Sequence, residues 1–478
     1  MIFGATGDLA ARKLIPALYA LHLGEGLHPE THVVAFARSD WSDEKLRGAM
    51  TDAVKRYRPD AFDAERWRQL AQRMSYVRGD YDAAGGYSTL AEKLHELGIH
   101  QRIYYTATPP AAYEPIVRGL TGAGLAGKDD PGARLVVEKP FGRDLASARE
   151  LNEVVLNAFE EEQVYRIDHY LAKETTQNLA VLRFANSLFE PIWSGRYVDH
   201  VQITMAEDIG VAGRGGFYED AGVIRDVFQN HLLQLVALIA TEPPARFEAR
   251  SVRDEKVKVF RAMSCPSAPD SVLGQYAGSG DTQAYRDEDG VPFDSRQATF
   301  AAVEFCIENW RWAGVPFFVR SGKRLSAKAS EIVLELKQPP HVPFKLPRPL
   351  LADRLVLRLV PDEGITFRFN AKAPGQGIDI DRVSLDFYYR DQFARPSPDA
   401  YETLLMDLMR GDPTLFMRAD EVEEQWRIVE PILTAWEGGR LEPYPYPAGS
   451  WGPDAADKLL ARRGRRWYAP GNAKEDGV

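Results

Sequence analysis

Apolar runs and polar breaks divide this chain into two unlike halves. In the first half, short runs of strand character recur at Met1 to Phe3, His32 to Ala37, Ile103 to Ala107, Arg134 to Val137 and Val164 to Ile167. Helix-like patterns stand between them, notably Leu90 to Leu97 and Asp144 to Asn157. Strands alternating with helices predict an α/β, doubly wound parallel sheet of Rossmann type. In the second half a helix-like stretch follows Lys173 as far as Leu188, and a strongly apolar helix runs from Asp226 to Ala240. Strand-like runs then accumulate: Tyr197 to Met205, Thr299 to Ile307, Phe317 to Arg320, Glu331 to Leu336, Arg354 to Leu359, Gly364 to Asn370 and Val383 to Tyr389. Without βαβ spacing, their alternation predicts a larger α+β part built on a mainly antiparallel sheet. The boundary between the halves is expected at residues 1–170 and 171–478.

Ligands of a doubly wound sheet collect at the carboxyl ends of its strands, so the turns there matter most. After the first strand come Gly4, Ala5, Thr6, Gly7, Asp8, Leu9 and Ala10, a G-x-x-G-x-x-A variant of the dinucleotide fingerprint. Glycine permits positive φ and close approach to a pyrophosphate, whose charge the next helix N-terminus favours. Pro16 has no N–H to donate, so a kink or restart of that helix is expected. Arg38 closes the second strand, where an NAD site usually has an acid. A guanidinium there suits an adenosine 2′-phosphate and points to NADP; the alternative is a solvated strand-end charge. Glu138-Lys139-Pro140 closes the fourth strand, and proline holds Lys139 extended toward the crevice. The fifth ends in Asp168-His169-Tyr170-Leu171-Ala172-Lys173. Asp168 and His169 should point to opposite sides, and a helix starting near His169 would set Lys173 over the same face. That turn reads either as an anion site or as an ordinary turn with solvated charges.

Composition changes little in this picture. Carboxylates outnumber Lys and Arg, giving a net charge of −10, which argues against nucleic-acid or anionic-membrane partners. No apolar run approaches the roughly 18 residues of a membrane span, and no leader precedes the first motif. Of the two cysteines, Cys306 lies in an apolar run and is expected to be a buried thiol, which fits a reduced, cytoplasmic setting. No ligand cluster calls for a metal. The Gly213 to Gly216 cluster reads as a turn lacking a strand-loop-helix frame, and Trp310-Arg311-Trp312 as core or interface. The tail from Gly471 is expected to be disordered. His231 reads as a core histidine by its helical neighbours, and Asp226 stands about 140° from it on an ideal helix.

The segment Arg166-Ile167-Asp168-His169-Tyr170-Leu171-Ala172-Lys173-Glu174 resembles the signature of the glucose-6-phosphate dehydrogenase family, with Ala172 where glycine is usual. Matching segments recur from the first residues to beyond residue 370. The resemblance implies a dinucleotide-binding domain, then a substrate-binding domain whose sheet serves self-association as a dimer or tetramer. It implies oxidation of glucose 6-phosphate at C1 to a 6-phospho-lactone, with NADP as cofactor. By the same resemblance His231 is the general base and Asp168 its partner. His169, Tyr170 and Lys173 hold the phosphate with help from Lys328, while Lys139, Glu207, Asp226 and Lys323 contact the sugar. Gly4, Thr6, Gly7, Asp8, Leu9, Arg38, Tyr113 and Lys139 serve the nucleotide, and the Lys139–Pro140 bond is cis. Relatives carry a longer first strand.

Overall fold

The computed structural model describes residues 1–346, 349–393 and 397–470; the tail from Gly471 lies outside them. The chain forms two compact units. The first runs Met1–Lys173 and also takes in Ala245–Arg253 and Pro398–Glu423. The second comprises Glu174–Pro244, Asp254–Ser397 and Glu424–Val478. A boundary drawn by sequence order near residue 170 leaves out the two later segments that belong to the first unit.

The first unit holds a six-stranded sheet of β1 (Ile2–Phe3), β2 (Val33–Ala37), β3 (Met74–Arg78), β4 (Arg102–Thr106), β5 (Ala133–Val137) and β6 (Val164–Arg166), ordered β3-β2-β1-β4-β5-β6 and parallel throughout. The order reverses at β1 and β4, the switch point where a doubly wound sheet opens its crevice. Of the six strands, β3 is the one the apolar pattern does not reveal: its sequence is Met-Ser-Tyr-Val-Arg, half exposed at the sheet's edge. The core joins Ile2, Val33, Tyr105, Val136 and Ile167 to Tyr401, Leu404, Leu405, Leu408 and Phe416 of the late segment. Arg134 also donates to the Leu408 and Met409 carbonyls at 2.8 and 3.0 Å, ending the helix Ala400–Arg410 on the sheet. Such orphan C-terminal carbonyls need donors.

The second unit is built on a nine-stranded sheet, ordered β14-β13-β12-β11-β7-β10-β9-β8-β15. Its strands are β7 (Val198–Ala206), β8 (Ser271–Ala277), β9 (Phe300–Cys306), β10 (Pro316–Gly322), β11 (Ala329–Leu336), β12 (Arg354–Val360), β13 (Gly364–Lys372), β14 (Ile380–Tyr388) and β15 (Tyr444–Pro447). Most pairs are antiparallel, but β7 with β10 and β8 with β15 run parallel. The central β10 is buried along its whole length, whereas β14 at the edge is mostly exposed. Strand β15, Tyr-Pro-Tyr-Pro, escapes a reading of the sequence because prolines demote a strand; they are tolerated here at the sheet's edge. The apolar helix Leu233–Ala240 packs beneath, and two buried indoles satisfy its last carbonyls. Trp193 donates to Ile239 at 2.8 Å and Trp312 to Ala240 at 2.9 Å. Trp310, grouped with Trp312 by sequence as core or interface, is fully exposed and so is not core. Cys306 is half-buried, not buried as expected, because it ends β9 at the rim. No described helix is long and apolar enough to cross a membrane.

Candidate active site

In the first unit, the candidate residues stand where the strands end. Gly4 has φ +73°, and a Cβ there would lie 2.3 Å from the Ala107 carbonyl oxygen, so only glycine fits. Its N–H donates to Phe36 and its carbonyl accepts from Gly7, each at 2.9 Å, which curls the loop over the β2 end. Thr6 reaches Ser39 across that loop at 3.4 Å. Leu9 is half-buried, while Asp8 projects outward and pairs with Arg12 at 3.2 Å. The helix break expected at Pro16 takes the form of a change in helix type. A π-helical turn, Ala10–Leu14, runs straight into the α-helix Ile15–Leu23, and Pro16, which cannot donate, stands at the change of winding. Arg38 is exposed just past β2, its guanidinium 5.8 Å from the centre of the Tyr81 ring.

Lys139 is half-buried and its bond to Pro140 is cis. Behind it lies a cluster the sequence did not announce. Glu138 is buried, and its carboxylate accepts from Tyr105 and, at 3.3 Å, from Tyr401. Tyr113 is itself buried and donates to the Glu138 carbonyl at 2.8 Å. Burial pushes the Glu138 carboxyl up, the two phenols and Lys139 oppose this, and Asp168 adds to it. Three tyrosines from separate segments therefore clamp the residue before Lys139. The signal available in the sequence was only the acid preceding Lys-Pro.

Asp168 is buried, and its Oδ1 accepts from the Tyr170 N–H at 2.9 Å. The helix expected to start near His169 begins at Glu174. Residues 169–173 are turns instead, closed by Leu171 donating to Asp168 at 3.0 Å and Lys173 to Tyr170 at 3.3 Å. An aspartate bonding the N–H two residues on stabilises a turn at the expense of helix. The His169, Tyr170 and Lys173 side chains still gather, by ring contact and not by helical phase. Lys173 Nζ lies 3.8 Å from the centre of the Tyr170 ring, and the His169 and Tyr170 rings are 5.0 Å apart.

In the second unit, sheet register does what local motifs do in the first. Gly322 of β10 stands beside Ala206 of β7 in parallel, and Ala329 of β11 opposes the same Ala206. The next residues are therefore neighbours: Glu207 follows β7, Lys323 follows β10 and Lys328 precedes β11. Lys323 is buried and ion-paired to Glu207, with its ammonium 5.0 Å from the centre of the buried Tyr218 ring. Tyr446 holds its carbonyl at 2.6 Å. Lys328 is exposed. Burial, then the charges of Asp226 and Glu207, push the Tyr218 phenol well above its usual range. Tyr218 thus floors this edge, although the sequence reading passed over it. Its helix, Gly215–Val223, follows β7 through the glycine cluster, so that cluster does sit in a strand-loop-helix frame.

Asp226 and His231 lie on a π-helix, Ile224–Leu232. Residues five apart are joined by i→i+5 bonds in such a helix, so the α-helical separation of about 140° does not apply, and the two share nearly one face. Gly222 starts it at φ +57°, where a Cβ would strike Gln297 at 2.2 Å. His231 is buried, and its backbone N–H donates to the Asn230 side-chain carbonyl at 2.6 Å. Asn230 in turn donates to the Arg225 and Asp226 carbonyls at 3.2 and 3.1 Å.

Two family models cover the chain: the glucose-6-phosphate dehydrogenase NAD binding domain over residues 1–178 and the glucose-6-phosphate dehydrogenase C-terminal domain over 180–468. Glucose-6-phosphate 1-dehydrogenase 2 of Mycobacterium tuberculosis is 44% identical, over 98% of this chain and 94% of its own length. The glucose-6-phosphate 1-dehydrogenase of Aggregatibacter actinomycetemcomitans is 45% identical, over 98% and 97%. A glucose-6-phosphate dehydrogenase solved in complex with its substrate glucose 6-phosphate superposes with a TM-score of 0.90 at 36% identity, covering 98% of each chain. With its switch-point crevice, its register-built acid–lysine edge and these matches over nearly its full length, the chain belongs to the glucose-6-phosphate dehydrogenase family.

Proposed function

We propose that this chain oxidises D-glucose 6-phosphate at C1 to 6-phospho-D-glucono-1,5-lactone with NADP, the reaction that opens the oxidative pentose phosphate pathway. What carries the reading is the 44% identity to a glucose-6-phosphate 1-dehydrogenase over 98% of the chain. The residues present fit the nucleotide. Gly4, at positive φ, curls the backbone at the strand end where a pyrophosphate would lie, and the exposed Arg38 suits a 2′-phosphate. When bound, NADP supplies the hydride acceptor. Gly4, Thr6, Gly7, Asp8, Leu9 and Arg38 would hold it, with Tyr113 acting through Glu138 to fix Lys139.

The chain's own part is to position the sugar and move one proton. His231 takes the C1 hydroxyl proton on a ring nitrogen, as a neutral imidazole can near pH 7. Asp168 orients that ring and stabilises the imidazolium that forms. As the C1–H bond breaks with its electron pair, the hydroxyl oxygen becomes the lactone carbonyl. His169, Tyr170 and Lys173 receive the 6-phosphate with Lys328, and Lys139, Glu207, Asp226 and Lys323 bond the sugar hydroxyls. The exposed Val383 and Leu385 on edge strand β14 favour self-association there, as dimer or tetramer. Free thiols at Cys265 and Cys306 suit the cytoplasm.

Turnover of glucose 6-phosphate and free glucose, each with NADP and with NAD, tests this directly through the reduced nucleotide's absorbance. The expected outcome is strong preference for the phosphorylated sugar with NADP. Equal turnover of free glucose would remove the phosphate clamp, and no turnover of either sugar would remove the reaction.

A further inference from the structure

The π-helix Ile224–Leu232 stands between two fixed ends. Before it, the Val223 N–H donates to the Ala298 carbonyl at 3.0 Å, and Gly222 lies against Gln297. Beyond it the chain winds as the α-helix Leu233–Ala240, whose last carbonyls the Trp193 and Trp312 indoles hold. With both ends held, the winding between them depends on what bonds the backbone groups of the turn itself.

The Asn230 side chain is placed to set that winding. It is buried, and its amide bonds only backbone of its own helix. Oδ1 accepts from the His231 N–H at 2.6 Å, while Nδ2 donates to the Asp226 carbonyl at 3.1 Å and the Arg225 carbonyl at 3.2 Å. In a π-helix each N–H faces the carbonyl five residues back, so His231 and Asp226 are the two ends of one such link. A single side-chain amide therefore brackets that link at both ends. Asparagine competes with ordinary helical bonding through its own backbone contacts, which suits a turn where α winding has to be avoided.

The consequence reaches the site. If the turn tightened to α geometry, residues 226 and 231 would stand about 140° apart around the axis. An alanine at position 230 could neither accept nor donate, and nothing in the side chain would then oppose the tighter turn.

We propose that Asn230 is a positioning residue for the sugar oxidation proposed above. Its amide keeps the turn from Asp226 to His231 in π form and so presents that carboxylate and that imidazole to one substrate. The inference rests on that reaction, and Asn230 acts in it through the backbone groups it bonds.

Steady-state kinetics of three variants with glucose 6-phosphate and NADP tests the role. Asn230→Ala should lower kcat by about 10- to 100-fold, the scale of a misplacement near 1 Å. It should also raise KM for the sugar phosphate several-fold, as Asp226 turns away. KM for NADP should keep its parent value, because the residues that would hold the nucleotide belong to the first unit. Asn230→Ser can still donate to the carbonyl four residues back and should fall between alanine and the parent. Gln425→Leu removes a different bond to the same residue, from the Gln425 amide to the Asn230 carbonyl at 3.3 Å, and should keep the parent's kinetics. Loss of folded protein alone would lower kcat with both KM values unchanged. That pattern, a kcat within about twofold of the parent in Asn230→Ala, or an equal loss in Gln425→Leu would each overturn the role. A parent chain that turns over no sugar phosphate would instead sink the reaction on which the role depends.

Discussion

The two sheets reach their chemistry by opposite routes. In the first unit four candidate residues each sit in the turn that closes their own strand: Gly4 after β1, Arg38 after β2, Lys139 after β5 and Asp168 after β6. Strand and turn are contiguous in sequence, so a parallel sheet need only align its strands for the turns to gather at one edge. In the second unit Glu207 and Lys323 are far apart in the chain and meet because β7 and β10 pair in parallel with Ala206 beside Gly322. No local motif encodes that contact; register does. A site made from turns tolerates change within one turn, whereas one made by register depends on every residue pair of the ladder.

His231 offers the largest test of this contrast, since the helix carrying it departs from α geometry. His231→Ala should lower kcat by about 10²–10⁴-fold, the usual contribution of a general base, with KM for the sugar phosphate nearly unchanged. Steady-state kinetics measures both. Near-normal turnover would move the base elsewhere and leave His231 as a core histidine.

Lys323→Met breaks the register-built pair itself. It would leave Glu207, about two-fifths exposed, facing water without its cation, at a cost of no more than about 1 kcal/mol, and should raise KM for glucose 6-phosphate about tenfold. Adding Glu207→Gln should cost little more, because the pair is already broken. Additive losses in denaturant titrations would show that the two side chains act independently.

How much of this was legible follows the same division. The turns of the first unit read well, because glycine, proline and a strand-end charge each carry a local reason. Edge strand β3 and the proline-bearing β15 did not, for their patterns are those of exposed or broken segments. The phase of Asp226 against His231 was misjudged because the sequence offers no sign that Ile224–Leu232 winds as a π-helix. Lys173 was expected on a helix, yet Asp168 caps a turn there first. Least visible was the return of Pro398–Glu423 to the first unit. The helix Ala400–Arg410 is amphipathic, and nothing in its own residues says which sheet its apolar face will meet.

That return gives the smallest and most specific prediction. Asp407 lies on this helix, and burial, then the nearby Asp412, raise its carboxyl from 3.8 to about 6, with Arg410 opposing. Between those two values the folded chain holds a proton that the unfolded chain has released. Stability from this group is therefore full below about pH 4 and is lost as pH rises through about 6. Asp407→Asn cannot ionise, so it should melt like the parent near pH 4 and somewhat higher than the parent near pH 8. Thermal melts across that interval measure the difference. A gain that is flat with pH would mean that Asp407 is solvated, and that the helix meets the first sheet through Tyr401, Leu404 and Leu408 alone.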